Sequence, residues 1–254
     1  MAKQINMKEK YTGKLYDLWA KFYDNTFGSL VHQRQKFALK QLRTQPGDTV
    51  LDIGVGTGMT LAHYPKHCKV IGMDLSRGML HKAALKVRDR NLTHCNLVQG
   101  DAMFPPFAPQ SFDHIIITHT ISVVSEPAKL LRWAQTLVKP TGRIVVLNHF
   151  QSANKFIAWW EHILNPLFLR VGWRSDLPLE ECLNATQLNT LYHFKLSTFD
   201  FWQIVVLSPT TKPLGELAPA GSPPQIGEEP VDLAKYNNAS NSSSLGGQLS
   251  PPTV

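Results

Sequence analysis

Cysteine is scarce in this chain: Cys68, Cys95 and Cys182 are the three in 254 residues. They are odd in number and none form a C-x-x-C pair, which excludes a disulfide framework and a zinc site of the usual spacing; no metal is expected, and the thiols are expected to stay reduced, as in cytosol. Residues 1–10 lack the apolar core of a signal peptide. Nowhere does an uncharged apolar run reach the ~20 residues that span a bilayer. No internal repeat is present, and the Asn-x-Ser/Thr triplets at Asn184, Asn238 and Asn241 carry no weight without a secretory signal.

Acidic residues are also few, 19 against 26 Lys and Arg, for a formal charge of +7. The excess is unevenly spread. Residues 213–254 hold one Lys against Glu216, Glu228, Glu229 and Asp232, so the preceding body carries +10. Such a surface suits nucleic acid or an anionic membrane. Basic residues interleaved with aromatics across a platform, or a known binding module, are missing, so no nucleic acid is expected. No obligate protein partner is evident.

What the chain does contain is a strand and helix alternation, with 43% hydrophobic residues to build a core. Strands are expected at residues 49–53, 70–74, 96–100, 114–118 and 143–147, with helices between them; this implies a parallel sheet. Ser76 is a candidate N-cap for a helix over 79–90, and Pro127 opens one over 130–138. Lys139-Pro140-Thr141-Gly142 reads as a break before the fifth strand. Segments 194–197 and 202–207 are expected to pair as a terminal hairpin, giving seven strands. From residue 213 onward Pro, Gly, Ser and Asn dominate with few apolar residues, so 1–212 is read as the folded domain and 213–254 as a disordered tail.

The most informative stretch is Asp52-Ile53-Gly54-Val55-Gly56-Thr57-Gly58, directly after the first apolar strand. Glycines spaced two apart let the backbone turn tightly and approach a ligand, and a following helix offers unpaired N–H groups. An acid ending the next strand, Asp74, is suited to accept both hydroxyls of a ribose. A dinucleotide fingerprint would put its third glycine at Met59, so NAD is disfavoured.

Two stretches bear on the acceptor. Leu15, Leu18, Trp19, Phe22 and Tyr23 fall on one helical face beside Lys14 and Lys21, either as a lid packed on the domain or as a membrane-facing stripe. After the fifth strand, Phe156-Ile157-Ala158-Trp159-Trp160 and Leu164-Asn165-Pro166-Leu167-Phe168-Leu169 lie between Lys155 and Arg170 and Arg174. This reads as an interfacial insertion or a packed cap. Glu161, His162 and Pro166 argue against a spanning helix.

The Gly54-x-Gly56-x-Gly58 loop with Asp74 and Asp101 resembles the Rossmann-like class I S-adenosylmethionine-dependent methyltransferases. The pattern Tyr16-x-x-Trp19-Ala20-x-x-Tyr23-Asp24-x-x-Phe27-Gly28, Asn148-His149-Phe150 and Gly172-Trp173-Arg174-Ser175-Asp176 narrow it, over about residues 11–207. In these the chain is similar to soluble, membrane-associated bacterial phosphatidylethanolamine N-methyltransferases; quinone methyltransferases share the Tyr-Asp pair. The resemblance implies an α/β seven-stranded methyltransferase sheet with helices on both faces, an N-terminal lid and an insertion after the fifth strand. S-adenosyl-L-methionine is the implied cofactor, bound by Asp52, Gly54, Gly56, Gly58, Asp74, Leu75, Met79, Asp101, Ala102 and His119.

The implied reaction is attack of an amine nitrogen on a sulfonium methyl, which needs mostly alignment and loss of the ammonium protons. His119 is the first candidate base and His149 the second; the alternative for His119 is a hydrogen-bonded residue shaping the cofactor pocket. Tyr16, Trp19 and Tyr23 offer aromatic faces to a methylated ammonium, or pack into the domain. Asn148 and Arg174 are placed with the substrate, Arg174 on the lipid phosphate or in a salt bridge with Asp176. A phospholipid at an anionic membrane surface is the expected partner, and the inner face of the cytoplasmic membrane the expected location of a cytoplasmic, peripherally bound protein. A quinone-precursor methyltransferase and a catalytically inactive cofactor-binding membrane sensor are the competing readings.

Overall fold

A computed structural model describes residues 28–150, 177–197, 200 and 202–209. The N-terminal aromatic stripe, the segment 151–176 and the tail from 213 lie outside the described residues. Among the described residues eleven main elements follow in order: α1 (Gly28–Leu42), β1 (Thr49–Ile53), β2 (Lys69–Asp74), α2 (Arg77–Asp89), β3 (Cys95–Gln99), β4 (Phe112–Thr118), α3 (Pro127–Leu137), β5 (Val138–His149), α4 (Leu179–Asn184), β6 (Asn189–Phe194) and β7 (Trp202–Ser208). The strands form one seven-stranded sheet in the order β3-β2-β1-β4-β5-β7-β6. The first five run parallel, and β7 is antiparallel to both β5 and β6.

Side chains alternate between two cores, as a period of two requires. Val50, Ile116, Val145, Leu147, Ile204 and Val206 meet Ala38, Leu39 and Leu42 of α1 and Leu80 and Ala83 of α2. Leu51, Ile53, Ile115, Ile117, Ile144, Val146, Val205 and Leu207 face the other way, against Leu130, Leu131, Ala134 and Leu137 of α3 and Cys182 of α4. Helices on both faces thus explain why β4 and β5 read as near-continuous apolar runs. Each such side chain contributes about 1.5–3 kcal/mol on burial. Among the described residues, no helix is long and apolar enough to cross a membrane.

Two expectations shift, and one helix had no expectation. The break at residues 139–142 is a bulge inside β5: Val138 already pairs with Phe112, and pairing resumes at His114 with Arg143. Lys139 Nζ reaches Asp113 Oδ1 at 2.6 Å across this bulge, which holds it against β4. The sixth strand is Asn189–Phe194 rather than 194–197. On this sheet edge only Phe194 is fully buried, so the strand shows little alternation to read. Helix α1 was not expected, because Gln35 occupies the stripe of Val31, Ala38, Leu39 and Leu42 and interrupts its apolar period; it is nonetheless buried.

The other ends fall where local chemistry places them. Ser76 Oγ accepts the Met79 N–H at 3.2 Å, the expected N-cap of α2. Pro127 sits in the first turn of α3, where its missing N–H costs nothing. The carboxyl ends of β1, β2, β4 and β5 share one edge of the sheet, and there the candidate residues gather.

Candidate cofactor and methyl-transfer site

The glycine loop is held by the end of β2. Gly54 N and Val55 N both donate to Met73 O, at 2.7 and 3.1 Å. Gly54 has φ +76°, and a Cβ there would collide with the Thr120 side chain of the β4 loop. Gly56, at φ +56°, has the opposite surroundings: the nearest atom to an added Cβ is Gly54 O at 4.0 Å, so the front of the loop is open. That opening suits close approach of a ligand to backbone.

Asp74 is aligned by two backbone donors. Its Oδ2 accepts Gly56 N–H and its Oδ1 accepts Ser76 N–H, both at 2.8 Å. Burial raises its pKa, and the Ser76 and Gly56 bonds oppose that rise. The carboxyl therefore links the loop to the start of α2, and its remaining lone pairs suit the two hydroxyls of a ribose. After β3, Asp101 Oδ1 accepts Met103 N–H at 2.8 Å, and Trp133 Nε1 donates to Met103 O at 2.8 Å, pinning this turn to α3. Ala102 is half-buried and Met79 buried. Leu75, 56% exposed beside Asp74, presents an apolar surface at the same edge.

Asp52 lies buried beneath the loop. Its Oδ2 accepts the hydroxyls of Thr60 at 2.7 Å and Tyr64 at 2.8 Å, while Oδ1 has no hydrogen-bond partner. Burial pushes its pKa up to about 6; the Thr60 and Tyr64 hydroxyls oppose this, and the charge of Asp74 adds to it. A folded pKa above the ordinary 3.8 means that the folded state binds the proton more tightly. This contribution to stability is complete below the unfolded pKa and lost as pH rises through about 6. Relative to Asp52→Asn, the wild-type protein without cofactor is expected to lose about 3 kcal/mol of stability between roughly pH 4 and 7. Denaturant titrations across that range measure it, and a stability difference independent of pH would show that Asp52 does not carry a buried charge.

His119 follows β4 in a left-handed conformation, φ +57°. Its N–H donates to Leu147 O at 2.8 Å, tying the end of β4 to β5. Nε2 is buried and finds no hydrogen-bond partner. Burial, then the charge of Arg34, lowers its pKa to about 4, so the ring is neutral at physiological pH. Asn148 is buried, accepts from Ser122 Oγ at 3.1 Å and donates to His149 O at 2.6 Å. His149 is buried opposite Trp202 in the β5–β7 register. Tyr16, Trp19, Tyr23 and Arg174 lie outside the described residues. Thr60, Tyr64, Arg34, Asp200 and Trp202 were not singled out from sequence: Thr60 and Tyr64 follow the glycine loop and fold back on Asp52, Arg34, Asp200 and Trp202 meet across the fold, and no local motif marks any of them.

A parallel sheet closed by an antiparallel β7, with a glycine loop after β1 and an acid ending β2, defines a Rossmann-like methyltransferase. Comparison with known proteins agrees. Residues 51–146 match the family described as "Methyltransferase domain". The chain is 31% identical over 183 residues to phosphatidylethanolamine N-methyltransferase of Cereibacter sphaeroides, covering 72% of this chain and 89% of that one. It is 35% identical over 181 residues to demethylmenaquinone methyltransferase of Lactobacillus johnsonii, covering 67% and 69%. The fold is shared with a SAM-dependent methyltransferase from Aquifex aeolicus, with a TM-score of 0.55 at 17% identity over 76% of this chain and 98% of that one. The chain belongs to the S-adenosylmethionine-dependent methyltransferases, and S-adenosyl-L-methionine is its cofactor.

The residues present fit that molecule. The open front of Gly56 would admit it, Asp74 could offer its carboxyl to a ribose, and Leu75 could offer apolar surface to a base. The orphaned Asp52 Oδ1 places negative potential under the loop, which suits a cationic ligand. When bound, the cofactor supplies a methyl group on a sulfonium, activated by its own positive charge.

Proposed function

We propose that this enzyme N-methylates phosphatidylethanolamine, toward phosphatidylcholine, at an anionic membrane surface. The observation that carries the reading is His119: a neutral imidazole with an unpartnered, buried Nε2, next in sequence to the Thr120 that packs on Gly54 of the cofactor loop. An ammonium acceptor must lose a proton before its nitrogen can attack, and such a ring accepts a hydrogen bond from it and orients the lone pair. With a pKa near 4 the ring carries no proton of its own at physiological pH, so Nε2 is free to accept that hydrogen bond. The likeness to phosphatidylethanolamine N-methyltransferase, which covers 89% of that enzyme, supports the same acceptor.

Glycine-loop amides, Asp74 and Leu75 hold the cofactor in this reading, with Met79, Asp101 and Ala102 around the base. Tyr16, Trp19 and Tyr23, outside the described residues, are in this reading the candidates to hold a methylated ammonium on their π surfaces, and Arg174 the candidate for the lipid phosphate. His149 and Asn148 shape the acceptor end from β5. The +10 body draws the protein to the inner face of the cytoplasmic membrane as a peripheral protein.

The 35% identity to demethylmenaquinone methyltransferase favours a second reading, a quinone precursor whose ring carbon takes the methyl group. Purified protein with methyl-labelled S-adenosylmethionine and vesicles of phosphatidylethanolamine and anionic lipid separates the two. Label in the lipid amine is the expected result. Label only in added demethylmenaquinone overturns the lipid reading, and binding of the cofactor without turnover of either acceptor leaves a sensor.

A further inference from the structure

Behind His119 stands a group of residues that the cofactor site does not use. Asp200, whose side chain is 1% exposed, accepts Arg34 Nε with both oxygens, at 3.0 Å to Oδ1 and 2.9 Å to Oδ2. The same Oδ1 accepts the Trp202 N–H at 3.1 Å, and Asp200 N donates to Ser197 O at 3.0 Å, so the carboxylate is fixed at the start of β7. The Arg34 guanidinium then stacks on the Trp202 ring, 4.6 Å from its centroid. That ring in turn meets His119 edge to face, with centroids 6.3 Å apart and planes at 89°.

A buried ion pair is a poor way to gain stability, since desolvation offsets most of its attraction. Here it joins residues 166 positions apart, and its Arg34 end stacks on the Trp202 ring that meets the candidate proton acceptor. We propose that Asp200, Arg34 and Trp202 are positioning residues for His119, setting the orientation of its ring and the electrostatic potential at Nε2. The proposal rests on the role given to His119 above. Charged or titratable groups at this corner include Arg34 of α1, Asp200 ahead of β7 and His149, the register partner of Trp202.

The two charges act on His119 in opposite directions. Arg34 disfavours the imidazolium, and Asp200 partly cancels Arg34. Removing the cation therefore raises the histidine pKa, and removing the carboxylate lowers it. A merely structural pair would not produce opposite signs.

The test follows His119 by NMR in full-length protein carrying labelled histidine, alongside methyl transfer to phosphatidylethanolamine vesicles. Arg34→Met is expected to raise the His119 titration by about half a unit or more and Asp200→Asn to lower it. Both are expected to reduce kcat by about 10–100-fold, with the cofactor Kd within about twofold of wild type. Titrations that stay put, or move the same way in both variants, overturn the proposal. Should Arg34→Met not fold, Arg34→Lys keeps the charge but loses the planar stack on Trp202. It is expected to leave the titration near wild type and lower kcat severalfold; an unchanged kcat there also overturns the positioning role. The two readings fail separately: a fully active His119→Ala removes the proton-acceptor role itself, whereas a slow His119→Ala with unmoved titrations in the charge variants removes only the positioning role.

Discussion

Replacing Asp74 with Ala is expected to abolish tight cofactor binding. Its carboxylate is aligned by Gly56 N–H and Ser76 N–H, so it is preorganised for a ribose and gives up no side-chain freedom when the ligand arrives. Each hydrogen bond from a ribose hydroxyl to a charged acceptor is worth about 1.5–3 kcal/mol, and losing two corresponds to roughly a 100-fold to 10,000-fold rise in Kd. The substitution also frees the Gly56 amide, loosening the loop that faces the ligand. Isothermal titration with S-adenosylhomocysteine measures the loss, and Asp74→Asn, which keeps one acceptor oxygen, is expected to fall between. An unchanged Kd for the alanine variant would remove Asp74 from the ribose.

The second large effect separates binding from transfer. His119→Ala is expected to lower the rate of methyl transfer by about 100-fold to 10,000-fold while the cofactor Kd changes little. Part of the loss returns as pH rises toward the ammonium pKa, because more acceptor is then deprotonated by solvent. In wild type, the acid limb is expected to follow protonation of His119, whose ring is held near pKa 4 by burial and then by Arg34. His119 has φ +57°, which disfavours Ala as well as removing the ring. His119→Asn, whose side chain tolerates this backbone, keeps the loop and still lacks the base. Equal slowing of both variants supports proton acceptance; an active Asn variant would reduce His119 to a turn former.

Local sequence carried much of the candidate cofactor site because its parts are contiguous or occupy strand ends. The glycine spacing, the acid at the end of β2 and the Ser76 cap each depend on a few neighbouring residues, and each lies where it was expected. The edge strand β6 was misplaced by several residues, since a strand half-exposed on both faces shows little hydrophobic alternation. Helix α1 escaped for a related reason: a buried glutamine interrupts its apolar face.

What the sequence by itself determined is therefore the fold class and the order of the loop, Asp74 and Asp101, because turn chemistry and apolar period are local. Only the tertiary structure decided what surrounds them. Asp52 is held by hydroxyls from Thr60 and Tyr64, and Gly54 is obliged to lack a side chain by Thr120, 66 positions away in the chain. Arg34 and Asp200 meet because the fold brings α1 to the start of β7, where a guanidinium, an indole and an imidazole come into successive contact. Burial and long-range charge lower the pKa of His119, and both come into being when the chain folds.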